Sequence, residues 1–135
     1  MGLVSVKMLV KGTRGRSRSV KMMVDSGAVW SLLPEADWKA LGLKPSRIES
    51  FSLADGTMIE RPVSDCRFCF EGKEAPSPVI LGTRNDVALL GSVTLETLTL
   101  VLNPFERSLK PMRMLLAQLA LRAPASWPAR PRRAP

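Results

Sequence analysis

The chain contains no histidine, only two cysteines among its 135 residues, and no apolar run approaching the length that crosses a bilayer. Each absence removes a class of function. Without histidine there is no Ser-His-Asp or Cys-His hydrolase, and a protein-bound catalytic zinc loses its usual ligands. The two thiols, Cys66 and Cys69, are too few for a metal cluster, so neither a metal nor any other cofactor is expected. They sit in an alternating stretch where residues three apart face opposite sides. A bridge or shared ligand is therefore awkward, and both read as buried structural thiols. The missing transmembrane run argues against a membrane partner. Met1 to Lys11 alternates apolar with polar residues and so reads as a strand, not a secretory leader. Gly2 does not complete a myristoylation pattern, because position 6 is Val6. A cytoplasmic protein is the expectation.

What remains is ordinary for one soluble domain: 45% hydrophobic and 24% charged residues, in a chain long enough to bury a core. With histidine absent, the natural acid–base groups are the 12 carboxylates. The net charge of +8 is unevenly placed. Lys11, Arg14, Arg16, Arg18 and Lys21 crowd one turn, and Arg113, Arg122, Arg130, Arg132 and Arg133 lie in a tail without acids. A basic tail can bind nucleic acid. With no nucleic-acid motif beside it, it reads as a solvated extension.

Hydrophobic periodicity predicts an all-β domain. Val4, Val6, Met8 and Val10 mark one half-buried strand, and Val20, Met22 and Val24 a second, with the Gly-Arg-Ser-rich stretch from Gly12 to Ser17 as their turn. Trp30 to Leu33 is a short apolar stretch, and Pro34 opens a two-turn helix stopped by Gly42. Two strand-like runs, Ile48 to Ala54 and Thr57 to Val63, flank Asp55-Gly56, a strong hairpin signal. Cys66, Phe68 and Phe70 mark another strand, and Val79 to Gly82 and Val87 to Leu90 two more. Ser92 caps a short helix to Leu98, and Thr99 to Leu102 is strand-like before the turn at Asn103-Pro104. The compact domain is placed at 1–111. The tail, 112–135, is expected to be helical from Met112 to Arg122 and disordered from Ala123. Many short strands with one or two short helices point to a small closed barrel.

The chemistry gathers at the second strand, which runs straight into Asp25-Ser26-Gly27-Ala28. A carboxylate at an apolar strand end needs a reason, because burying it unpaired is costly. Gly27 allows a tight turn and close approach, and Ser26 supplies a small hydroxyl to brace the loop. Taken alone, Asp-Ser-Gly is also an ordinary turn.

With its surroundings, Val24-Asp25-Ser26-Gly27-Ala28 followed by Ser31-Leu32-Leu33-Pro34 resembles the active-site segment of the retropepsin-like aspartic proteases. Leu53-Ala54-Asp55-Gly56-Thr57 stands where that family places its flap. Ala88-Leu89-Leu90-Gly91 is similar to its paired apolar residues and glycine before a C-terminal helix. Leu95-Glu96-Thr97-Leu98 and Leu109-Lys110-Pro111 look like the bacterial single-domain members. The resemblance covers about residues 2 to 111, with Ser26 where many relatives have threonine and Asp55 where viral flaps are glycine-rich.

The resemblance implies a retropepsin-type barrel acting as a two-fold dimer on a peptide or protein substrate. Two aspartates within ~3 Å share one proton, which supplies a base for water and an acid for the scissile carbonyl. The chain has a single Asp-Ser-Gly, and Asp37, Asp65 and Asp86 lack that context, so the second aspartate is expected from a homodimer partner. Gly27 would line the cleft floor. Leu53, Ala54, Asp55, Gly56 and Thr57 would close over the peptide, and Leu89, Leu90 and Gly91 would support the cleft. Ala28, Leu32, Leu89 and Leu90 are candidates for side-chain pockets, with Leu32 and Leu90 assigned to the core. An alternative is a non-catalytic peptide- or nucleic-acid-binding module on the same fold. A third is a peptidase that trims its own exposed tail.

Overall fold

The computed structural model describes residues 3–112. Strands β1 (Ser5–Lys11) and β2 (Ser17–Val24) pair antiparallel from Ser5 opposite Met23 to Lys11 opposite Ser17. The alternation works as expected: Met8, Val10, Val20, Met22 and Val24 are all buried. Their turn places Arg14 and Gly15 at φ 52° and 73°, the left-handed pair that matches the twist of a tight hairpin.

The chain then builds a closed ring. β3 (Ser31–Leu33), β5 (Met58–Phe70), β6 (Lys73–Leu81) and β7 (Leu89–Leu90) join β1 and β2 in the order β1-β2-β7-β3-β6-β5, and β5 pairs back onto β1. Two pairings are parallel, β2 with β7 and β3 with β6. Closure removes most sheet edges, and the barrel fills with Phe68, Met8, Met22, Leu33 and Leu90, each fully buried. This is the small all-β barrel expected, with two short helices.

Strand β5 corrects the reading of two separate strands at Thr57–Val63 and around Cys66. It is one 13-residue strand. Its first half pairs with β4 (Arg47–Ser52) in a hairpin that leaves the barrel, and its second half pairs with β6. The covered face changes at Val63-Ser64. Ile59, Arg61 and Val63 are covered on the hairpin side, whereas Ser64, Cys66 and Phe68 face the barrel interior. That change of face interrupts the alternation without breaking the strand. β6 begins earlier than expected and carries Pro76 and Pro78. Spaced two apart, both prolines put their missing N–H on the same edge, along a stretch where only β5 borders the strand.

Helix α1 (Glu35–Ala40) has Pro34 as its N-cap, extended at ψ 163°, not as its first helical residue. Gly42, at φ 72°, ends it as expected. Helix α2 (Ser92–Thr97) is capped by Gly91, not Ser92. β7 is shorter than expected, and a further strand, β9 (Ser108–Pro111), pairs with β8 (Leu100–Asn103) in a separate two-stranded sheet. Leu100 and Leu109 tie that sheet to the core. No helix among the described residues is long and apolar enough to cross a membrane. Met112, the expected start of the tail helix, is not helical and donates its N–H to the Thr99 carbonyl; the rest of that helix and the expected disorder lie outside the described residues.

Candidate active site

Asp25 leaves the end of β2 with its backbone still in the barrel: its N–H donates to the Leu90 carbonyl at 3.0 Å. The residue is exposed, as are Ser26 and Gly27. The Gly27 N–H donates to Asp25 Oδ1 at 3.0 Å, and the Ala28 N–H to the Asp25 carbonyl at 3.1 Å. The loop therefore folds back on its own carboxylate. A Cβ on Gly27 would lie 3.3 Å from Asp25 Oδ1, close enough to press on it.

The loop is clamped by α2. An α-helix starts with N–H groups that have no partner inside the helix, and Gly91 offers no side chain to cap them. Instead, Ser92 N–H donates to the Ala28 carbonyl at 2.8 Å and Val93 N–H to the Val29 carbonyl at 3.0 Å. This docking needs glycine at 91. A Cβ there would meet Trp30 C at 2.6 Å, Trp30 O at 2.8 Å and Val29 O at 2.9 Å.

Beneath the loop runs a chain of buried hydroxyls that no local motif signals. The Gly91 N–H donates to Ser31 Oγ at 2.9 Å, Ser31 Oγ lies 2.6 Å from Thr94 Oγ1, and Thr94 Oγ1 lies 2.8 Å from Ser77 Oγ. Ser77 Oγ ends the chain by donating to the Pro78 carbonyl at 3.1 Å. Read in that direction, each hydroxyl accepts one bond and donates one. Such satisfaction is what makes a buried polar group tolerable. It joins β3, β6 and α2, the helix whose first N–H groups hold the Ala28 and Val29 carbonyls.

A cavity of about 700 Å³ opens beside the loop. Its lining starts at Gly27 and Ala28, so Asp25 stands at its edge. Leu32, Ile80 and Leu89 form one wall, with Glu49, Phe51, Ile59 and Arg61 from the inner face of the β4–β5 hairpin opposite them. Ala28 and Leu89 thus reach the cavity, and Leu90 is core. Leu32 corrects its assignment to the core, because it is half-buried and lines the cavity. Sequence reasoning did not single out Trp30 or Phe51. Their rings meet edge-on at 5.4 Å, joining loop to hairpin, and the Arg47 guanidinium lies 5.6 Å over Trp30. An aromatic two residues after Ala28 was the available signal.

Leu53, Ala54, Asp55, Gly56 and Thr57 form the hairpin tip. The Leu53 N–H donates to the Thr57 carbonyl at 2.7 Å, Gly56 N–H to the Leu53 carbonyl at 2.9 Å, and Gly56 takes φ 87°. Asp55 Oδ1 accepts the Thr57 N–H at 2.9 Å. Hydrogen bonding from Thr57, side chain and backbone, holds the Asp55 carboxyl below its ordinary value.

The two cysteines are free and face opposite sides. Cys66 is buried, which pushes its thiol up to about 12. Cys69 corrects the expectation of two buried thiols. It is half-exposed on the outer face and donates to Glu74, which also accepts from Lys11 and Arg67, both at 2.6 Å. These bonds bring Glu74 down to about 2. The cluster shares no residue with the cavity. Among the described residues, no group of three or more such side chains comes together to hold a metal ion.

Among the solved structures that share this architecture are two retroviral proteases. EIAV protease complexed with the inhibitor HBY-793 matches with a TM-score of 0.54 at 17% identity, covering 70% of this chain and 86% of that one. The solution structure of Simian Foamy Virus (mac) protease matches with a TM-score of 0.50 at 22% identity, covering 68% of this chain and 91% of that one. No family model and no curated protein matches the sequence. The likeness establishes a fold shared with retroviral proteases.

Proposed function

We propose that the protein is an aspartic endopeptidase active as a two-fold homodimer, with Asp25 as the catalytic carboxylate of each subunit. The observation that carries this reading is the exposed Asp25 carboxylate, fixed by the Gly27 N–H at a strand end, beside a cavity roofed by a hairpin. The shared fold supports it. So do Val29 and Val87, 61% and 58% exposed on the loop and just before β7, as apolar surface that a second copy would cover.

In the dimer the two carboxylates face each other and share one proton. The ionised one takes a proton from a water whose oxygen attacks the peptide carbonyl carbon. The protonated one gives its proton to the carbonyl oxygen. The carboxyl that took the water proton then gives it to the amide nitrogen. The other carboxylate takes a proton from the tetrahedral diol, so the C–N bond breaks and the pair again shares one proton. The substrate lies extended against Gly27 and Ala28, with backbone groups of Leu53, Ala54, Asp55, Gly56 and Thr57 pairing to it as an added strand. Residues 1–111 form the peptidase domain and 112–135 a basic appendage. The segments Leu95-Glu96-Thr97-Leu98 and Leu109-Lys110-Pro111 favour the bacterial branch of the family.

The test is incubation of wild type and Asp25→Asn with a mixed peptide library from about pH 3 to pH 8, read by mass spectrometry. Cuts made by the wild type alone, strongest on the acidic side, are the expected result. A confirmed dimer that cuts nothing would sink the reading and leave a binding module on the same fold.

A further inference from the structure

The five basic residues crowding the first turn are not used by the cleft, and the structure sorts them. Lys11 is paired with Glu74 at 2.6 Å, a carboxylate it shares with Arg67, and Arg18 with Asp37 at 2.8 Å, while Lys21 stands exposed on β2. Arg14 and Arg16 instead meet Lys44, from the loop after α1, around a second cavity of about 440 Å³. It lies at the far end of β2 from Asp25, roughly 26–30 Å along the chain at strand rise, and shares no lining residue with the cleft.

The turn and the loop are locked together. Thr13 N–H donates to the Leu41 carbonyl at 3.0 Å. A Cβ on Gly42 would lie 2.4 Å from Thr13 Oγ1 and 3.0 Å from Arg16 Nη1, so only a bare backbone lets Arg16 lie against the loop. Arg14 is held at φ 52°, which fixes where the turn presents it. Among the described residues, none of Arg14, Arg16 and Lys44 is in an ion pair. The one carboxylate at the pocket, Asp65, is largely exposed and lies 3.9 Å from Arg47 Nη1. Three cations against one outward-drawn carboxylate leave the pocket strongly positive.

We propose that this pocket binds a small phosphomonoester, its phosphate gripped by Arg14, Arg16 and Lys44. Guanidinium forks match phosphate oxygens two at a time, and a dianion answers the surplus of positive charge. The volume falls in the range of small-molecule sites. A nucleic-acid strand would need a continuous track of free cations, and the neighbouring Lys11 and Arg18 are both engaged in ion pairs, with Glu74 and Asp37.

The full-length protein would be titrated with inorganic phosphate and with a nucleoside monophosphate, followed by calorimetry and by backbone amide shifts. One-site saturation is expected, with shifts confined to residues 13–16, 42–44 and 64–65. Tighter binding of the monophosphate would identify an ester ligand, and binding of inorganic phosphate alone would overturn that part of the proposal. Replacing Arg14 and Arg16 by alanine should weaken binding by about tenfold or more. Replacing Lys7 and Lys21, a cross-strand pair of exposed lysines on the same hairpin, removes equal charge and should change affinity by less than about twofold. Equal loss in both double variants, shifts spread over the whole basic surface, or absence of saturation would overturn the site. So would preference for a single-stranded oligonucleotide with a steep salt dependence. The amide-shift map needs no variant, so it decides the matter even if a substitution unfolds the chain.

Discussion

The loop that carries Asp25 and the hairpin that roofs its cavity face the same space but are held in opposite ways. The loop is fastened by the Leu90 carbonyl and by the two leading N–H groups of α2, whose start is in turn held by the hydroxyl chain. Most of those partners are buried. The hairpin pairs only β4 with the outer half of β5, and its tip from residue 53 to 57 is exposed throughout. Its links to the loop are the Trp30–Phe51 contact and Arg47 over Trp30. Under the proposed function, a rigid floor suits groups that must be aimed in advance, and an exposed roof with few fastenings suits one that must open.

One substitution made in both regions tests that contrast most strongly. At Gly91 a new Cβ meets backbone atoms at 2.6–2.9 Å, and backbone cannot swing aside as a side chain can. Gly91→Ala should cost about 3 kcal/mol, the upper part of the range for overpacking, and lower the melting temperature by several degrees. At Gly56 the space is open and only the φ of 87° resists. Gly56→Ala should cost about 1 kcal/mol. Equal costs in thermal unfolding would mean that the floor is no more constrained than the roof.

A smaller effect probes the hydroxyl chain. Thr94→Val keeps the shape but leaves Ser31 and Ser77 facing a methyl group in the core, at a cost of about 1–2 kcal/mol. Under the proposed function it should lower kcat more than it changes KM, because the chain positions the loop and touches no substrate. A change confined to KM would separate the chain from loop positioning.

Much of the floor was legible because its signals are local. The alternation of Met8, Val10, Val20 and Met22 placed the first hairpin, and the strand ending in Asp25 followed from it. Asp55-Gly56 located the tip because an Asp-Gly turn has few alternatives. What the sequence concealed is non-local. Ser31, Ser77 and Thr94 are ordinary small polar residues until the barrel closes and brings 31 beside 94. The continuity of β5 was hidden by its change of covered face at Val63-Ser64, and the start of β6 by two prolines that are harmless only because they share an edge. The outward face of Cys69 follows from the strand's alternation, but its bond to Glu74 depends on Lys11, Arg67 and Glu74 meeting across three strands. In the same way the basic turn was visible, but its meeting with Lys44 required α1 to deliver that loop.

The mildest test asks whether the roof has a pH response that the barrel does not share. Thr57 hydrogen bonds hold the Asp55 carboxyl below its ordinary 3.8. A carboxyl whose value is depressed on folding contributes its support fully above the ordinary value. It loses that support as pH falls through the lower, folded one. The tip should therefore stay closed through mildly acidic conditions and loosen only below 3.8. Because Asp55 is fully exposed, the loosening should be local and leave the global melting temperature to other groups. The direct observable is the Thr57 amide, which donates to Asp55 Oδ1. In wild type its chemical shift should titrate with a midpoint below 3.8. In Asp55→Asn, which keeps an acceptor oxygen but no charge, the shift should stay flat over the same range. A midpoint at or above 3.8 in wild type would show that the turn bond does not favour the ionised carboxyl. The tip would then lack the one electrostatic fastening that distinguishes it from an unsupported hairpin end.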